Sequence, residues 1–339
     1  MHYAVEPLEL HLKTPFRIAH GSSTVRTNVL VRIGDGVGEG ALPPYYRYRF
    51  ADVKAYLDRL DPATLIGNDP AALEDALDRL PPGPASARAA VDIALHDLWG
   101  RHLGHPLYRL WGLNPTRAPV SSVTLSIPEN LDALRQQIQA LDGFPILKLK
   151  LGTGSPEGDE ALVRTAREAT RARLCVDANC AWTVDEAARL IPRLGAYDLL
   201  FIEQPLPQDD HDAWSRLRRR LPTDAPPLIA DESLQTPADI LALADAVDGI
   251  NIKLAKAGGL RAARRMITLA RTLGLHVMLG CMIESAVALT AATHLAPLAD
   301  FADLDSYLYL ANDPFEGATL DRGRILLPDG PGLGVTRRW

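Results

Sequence analysis

The chain is poor in cysteine, has no marked excess of one charge sign, and contains no apolar run long enough to cross a membrane. Three cysteines in 339 residues, Cys175, Cys180 and Cys281, are too few for a disulfide framework, which points to a reducing compartment. The missing apolar run excludes a transmembrane helix. The opening stretch MHYAVEPLELHLK lacks the basic-then-apolar layout of a secretion signal, so a cytoplasmic location is expected. With 36 basic against 42 acidic residues the formal net charge is −6, and the signs are interspersed, which argues against nucleic acid or a membrane as partner. The one basic run, RLRRR at 216–220, reads as the solvated face of a helix. What remains is an ordinary globular composition, 47% hydrophobic and 23% charged. This length suits two domains, or one large barrel with an appendage.

The chain changes character near residue 118. Before it, alternating runs at 8–12 and 29–33 read as antiparallel strands, the second ending in the turn Gly34-Asp35-Gly36. Helical patterns follow at 50–60, 70–80 and, after the breaker PPGP, at 86–103. From residue 119 short apolar strands alternate with amphipathic helical segments. They are VTLSI (123–127), ILKLKLG (146–152), RLCVDAN (173–179), LLFIEQP (199–205), PLIADES (227–233), GINIKLA (249–255), HVMLGCM (276–282) and FADLDSY (301–307). Eight such strands predict a parallel β/α barrel. No helix is evident after the eighth, and the tail beyond Asn312-Asp313-Pro314 returns to strand-like sequence that is expected to rejoin the N-terminal region.

Charged residues recur at the strand ends, where such barrels build their active sites. Lys148 and Lys150 close the second strand, Asp177 the third, Glu203 the fourth, Asp231 the fifth and Lys253 the sixth, with Asp303 and Asp305 on the eighth. A single strand-end Asp is most simply a helix cap, and Cys175 and Cys281 are most simply small core side chains. The ordered set is what calls for another reading. Strand alternation puts Lys148 and Lys150 on one side of KLKLG and the leucines on the other. Two buried ammonium groups are costly unless compensated, and Asp177, Glu203 and Asp231 can compensate them. Three converging carboxylates form an all-oxygen site suited to magnesium. Zinc is a poor match there, since no His or Cys holds an equivalent position and His276 opens its strand at the wrong end. Crowding by the metal, by a second ammonium and by low dielectric is expected to lower the lysine pKa values and so make them competent bases.

These motifs, with NIKLAKAGG (251–259), Ile283-Glu284-Ser285 and the helix-like stretch 86–112, together resemble the enolase superfamily, in its mandelate racemase/muconate-lactonizing branch, over essentially the whole chain. The resemblance implies an α/β fold, a modified TIM barrel of (β/α)7β form over residues 118–312. An α+β capping domain would come from residues 1–117 and the tail 313–339, in a homo-oligomer. It implies that Asp177, Glu203 and Asp231 bind one Mg2+ per subunit, with Mn2+ as a substitute. It casts Lys150 and Lys253 as an acid/base pair on opposite faces of the substrate, with Lys148 helping to hold the substrate carboxylate. The shared chemistry is removal of a proton α to a carboxylate, giving an enediolate held by magnesium, and two bases suit inversion at carbon.

The eighth strand narrows the choice. Asp303 and Asp305 share a strand face and would suit a cationic group on the substrate. This element resembles the dipeptide epimerases, where it receives the α-ammonium group, with Thr124 and the Cys281-Met282-Ile283 backbone lining the dipeptide. The expected reaction is inversion of the C-terminal residue of a dipeptide. An N-acylamino acid racemase, an o-succinylbenzoate synthase and a muconate cycloisomerase remain alternatives, as do a Schiff-base aldolase and a silent binding protein. Relatives acting on Ala-Glu carry an arginine shortly after a segment like Thr14-Pro15-Phe16-Arg17. Here that loop reads HGSS (20–23), with Arg17 and Arg26 out of apparent register, which speaks against Ala-Glu. The tyrosine-rich loop 42–48 reads equally as pocket or as packing.

Overall fold

The computed structural model describes residues 2–338 except 47, 62, 64, 66–68 and 70. Arg47 of the tyrosine-rich loop and Pro70, the expected start of the second helix, therefore lie outside the described residues.

The N-terminal region opens with an antiparallel sheet of β1 (Tyr3–Ile18), β2 (Gly21–Ile33) and β3 (Gly36–Gly40). Alternation in β1 buries Leu8, Leu10 and Leu12 on one face. The β1–β2 register is irregular: His11 lies opposite Val25, but Phe16 lies opposite Ser23. β3 extends the sheet beyond the expected turn. Its sequence GVGEG has little apolar content because it packs backbone to backbone. A Cβ at Gly36, Gly38 or Gly40 would overlap the carbonyl oxygens of Ala94, Ala90 and Ser86 on the long helix Ala85–Leu103. Two shorter helices, Phe50–Leu57 and Leu73–Arg79, complete this layer.

Eight parallel strands follow in consecutive order: β4 (Val123–Leu125), β5 (Ile146–Lys150), β6 (Arg173–Asp177), β7 (Leu199–Glu203), β8 (Leu228–Ala230), β9 (Gly249–Ile252), β10 (His276–Gly280) and β11 (Phe301–Asp303). A Ser121–Ala302 bridge brings β11 back beside β4, so the sheet closes into a modified TIM barrel. Each strand expected to run past its charged residue stops at or before it, because there the chain leaves the ladder for the rim loops. The outward side chains, Leu147 and Leu149 among them, join the large core between sheet and helices. Cys175, Phe201, Ile229 and Met278 fill a separate inner cluster.

After β11 comes only a short 3-10 turn, Ser306–Tyr309. The tail then packs against the N-terminal region, through a Leu12–Leu310 bridge and a bond from the Leu333 N–H to Asp97 Oδ1 at 2.8 Å. The basic run ends helix His211–Arg218, where Arg216, Arg218 and Arg220 pair with Asp210, Asp248 and Asp185 on the surface. Among the described residues no helix is long and apolar enough to cross a membrane.

Candidate active site

Asp177 and Glu203 are the last residues of β6 and β7, and Asp231 and Lys253 stand one position past β8 and β9. Neighbouring strands in register thus converge their carboxylates: ligand atoms of Asp177, Glu203 and Asp231 all lie within 4.8 Å of one another, and all three side chains are buried. Lys150 Nζ donates to Asp177 Oδ2 at 2.6 Å, and Lys253 Nζ to Asp231 Oδ2 at 2.6 Å. β5 and β9 stand four strands apart in a barrel of eight, so the two ammonium groups approach from opposite sides.

Lys148 departs from expectation. It is fully buried and lies 2.7 Å from Asp303 Oδ2, 2.7 Å from Glu203 Oε2 and 3.3 Å from Asp177 Oδ2. These carboxylates hold the ammonium in the floor of the site. At Lys148 and Lys253 the surrounding carboxylates act against the lowering expected from burial. Burial does favour the neutral form, but Asp303, Glu203 and Asp177 outweigh it and hold Lys148 well above its ordinary value. Asp231 and Glu203 do the same to Lys253 against its own burial. Burial, reinforced by Asp177, raises Glu203 to about 8. Asp231 goes the other way, because Lys253 and Lys256 overcome its desolvation.

Lys256 belongs to this centre although it was not singled out in the sequence. It is buried and bonds both the carboxylate and the carbonyl of Asp231. Its signal was its place in NIKLAKAGG, three residues after Lys253. Asn251 Nδ2 donates to Glu203 Oε1 at 2.8 Å. Acceptor oxygens are left over around the cluster: among the described residues, Asn179 Oδ1 and Asn251 Oδ1 are buried with no hydrogen-bond partner. Such oxygens are costly to leave unpaired. Together with an all-oxygen donor set they fit a hard cation and its water shell.

The cavity above is lined by Lys150 and Lys253, by Thr124, Cys281, Met282 and Ile283 on the barrel rim, and by Asp303, Asp305 and Tyr309. Asp303 is less free than a bare acidic pair would be. Its Oδ2 engages Lys148 and its Oδ1 accepts from Ser122 and Thr124 hydroxyls, so the ammonium beside it keeps it below the usual carboxylate range in spite of burial. Asp305 lies beyond the end of β11 and accepts the Thr124 N–H at 2.6 Å, with the Tyr309 hydroxyl 2.5 Å away. Burial, and then the neighbouring Asp303, raise it to about 7. The Ile283 carbonyl is partly engaged already, accepting from Asn28 Nδ2 at 3.0 Å.

The cap closes the other side with Phe16, Ile18, Arg26 and Tyr45. Tyr45 stacks on His20, and Tyr46 packs with Ala41, Ala255 and Met282, so the tyrosine loop is both lining and packing. Arg26 is 8% exposed and faces the cavity, contrary to the register expected for it. Burial lowers its pKa, and among the described residues no carboxylate forms an ion pair with it.

Two family profiles match: the mandelate racemase / muconate lactonizing enzyme N-terminal domain over residues 3–112, and the enolase C-terminal domain-like family over residues 132–339. An L-Ala-D/L-Glu epimerase of Bacteroides thetaiotaomicron is 40% identical, aligned over 98% of this chain and 86% of the relative. A dipeptide epimerase of Methylococcus capsulatus, solved with Mg and the dipeptide L-Arg-D-Lys, superposes with a TM-score of 0.86 at 36% identity, over 98% of each chain. One from Enterococcus faecalis, solved with Mg and L-Leu-L-Tyr, gives 0.87 at 31% identity over 99% of each chain. The three relatives named above are epimerases, and the chain belongs to the enolase superfamily, in its mandelate racemase/muconate lactonizing branch.

Proposed function

We propose that the protein is a magnesium-dependent dipeptide epimerase that inverts the α-carbon of the C-terminal residue by proton transfer between two lysines. Residues 118–312 would form its catalytic domain and residues 1–117 with 313–339 its cap. One observation carries the reading: Lys150 and Lys253 enter the same cavity from opposite sides of the barrel, beside a convergent three-carboxylate cluster. One lysine removes the α-proton from one face, and the other delivers a proton to the opposite face. Asp177, Glu203 and Asp231 would hold Mg2+, which supplies positive charge beside the substrate carboxylate. Asp177 and Asp231 each also bond one of the two lysines, so they set where its amine points. Lys148 positions Glu203 and Asp303, and its charge favours the substrate carboxylate above them.

Substrate recognition divides between the two ends of the cavity. Asp305 and, behind it, Asp303 present negative charge suited to a free amino terminus. Arg26 presents a buried positive charge without an ion-pair partner among the described residues, which favours a dipeptide carrying an acidic side chain.

The test is turnover of a dipeptide panel in deuterated buffer, followed by mass spectrometry and chiral separation. L-Ala-L-Glu should gain one deuterium at its C-terminal α-carbon and epimerise, and chelation should stop both. Turnover undiminished in metal-free protein, or N-acetylated substrates reacting as fast as free dipeptides, would overturn the reading.

A further inference from the structure

Beside the carboxylate centre lies a second cluster of different chemistry. His20 stands in the turn between β1 and β2, Cys180 in the loop after β6 and Glu232 in the loop after β8. Their imidazole nitrogen, thiol sulfur and carboxylate oxygen all lie within 4.8 Å of one another. An independent observation points to a missing ligand. Glu232 is 4% exposed; one oxygen accepts from Asn179 Nδ2 at 3.0 Å, while the other, Oε2, is buried with no hydrogen-bond partner. A buried carboxylate oxygen left bare is expensive, and a cation satisfies it.

We propose that His20, Cys180 and Glu232 form a second metal site, for zinc or a similar borderline-soft ion, tying the β1–β2 turn of the cap to the barrel rim. The donor set supports it. One nitrogen, one sulfur and one oxygen suit zinc with an open fourth position, whereas magnesium avoids sulfur and belongs in the all-oxygen cluster. The ligands are prepared differently for the role. Burial lowers the His20 pKa and so favours the neutral imidazole that binds metal. Burial pushes the Cys180 thiol up, so an incoming ion has to displace its proton. Two ligands sit on the barrel and the third on a hairpin whose strands carry Phe16, Ile18 and Arg26 to the cavity. A bound ion would hold that hairpin across the mouth and slow the exchange of substrate and product. This site does not depend on the reaction proposed above.

The test is titration of the magnesium-saturated protein with Co2+, read by the near-ultraviolet thiolate-to-cobalt charge-transfer band, and with Zn2+, read by equilibrium dialysis. One cobalt per chain should give the band and one zinc per chain should bind in excess of magnesium. Cys180→Ser should abolish the band, and Cys180→Ser and His20→Gln should each weaken zinc at least tenfold. Cys281→Ser should keep the band. Cys180→Ser is nearly isosteric, His20→Gln gives up the ring stack on Tyr45, and circular dichroism unchanged from wild type in both confirms that any lost zinc reports the site. A band that survives Cys180→Ser, zinc affinity unmoved by both variants, or zinc bound only in exchange for magnesium would each overturn the proposal.

Discussion

At the scale of single residues, the proposed reaction divides one task between Lys150 and Lys253. Removing either amine should lower epimerisation by about 10²–10⁴-fold. Lys150→Ala and Lys253→Ala should differ in which stereoisomer still exchanges its α-proton with solvent deuterium, a difference visible by proton NMR. Free exchange of both isomers by both variants would refute the two-faced assignment. Arg26 has its own signature. Arg26→Met would remove the proposed charge-assisted contact to an acidic side chain, worth about 1.5–3 kcal/mol. kcat/KM for L-Ala-L-Glu should therefore fall roughly ten- to hundred-fold while L-Ala-L-Leu holds or improves. Parallel losses on both substrates would assign Arg26 to structure.

At the scale of elements, β3 shows how packing overrides composition. Gly38→Ala would drive a methyl group into the Ala90 carbonyl, and overpacking of this kind costs about 1–3 kcal/mol. The urea midpoint should fall accordingly. Glu39, between those glycines, ties the sheet to helix Ala286–Thr293: its carboxylate accepts the Ser285 hydroxyl at 2.6 Å, the Ser285 N–H and the Ala288 N–H. Glu39→Gln turns an acceptor into a donor facing donors, so KM should rise together with a loss of stability. The barrel strands were readable because parallel strands buried on both faces are continuous apolar runs ending in charge. β3 was not, since its glycines reflect a close helix approach visible only in three dimensions. Arg26 was hidden for a related reason. The register slip between His11 and Phe16 alters which residues of β2 stand opposite those of β1, and counting along the chain cannot detect it. Lys148 was placed on the correct face, but its burial depends on three partners from three other strands.

At the scale of the molecule, stability should depend on metal and on pH. A ligand that binds only the folded state at a hundred times its Kd stabilises by about 2.7 kcal/mol. Magnesium should therefore raise Tm, and Asp177→Asn or Asp231→Asn should remove that rise, as calorimetry would reveal. His294 supplies the pH dependence. It is fully buried against Tyr108, with Nε2 bonded to the Leu333 carbonyl, and burial lowers its pKa to about 4. The unfolded chain takes up that proton near 6.5, so stability is intact above 6.5 and is lost as pH falls toward 4, by about 3 kcal/mol. Urea midpoints across this window should slope less in His294→Gln, and an unchanged slope would place the effect elsewhere.

Residues 16–28 bear on how such a protein changes by descent. Phe16, Ile18, Arg26 and Asn28 reach the cavity from one short hairpin, whereas the ammonium groups and the clustered carboxylates come from strands far downstream. A duplicated gene can therefore drift through a few adjacent codons and acquire a new preference among substrates without touching the codons for the chemistry. Recombination has an equally simple target, because exchanging this one stretch between paralogues carries all four of these cavity residues together. Lineages sharing this architecture are expected to diverge first, and fastest, in that stretch.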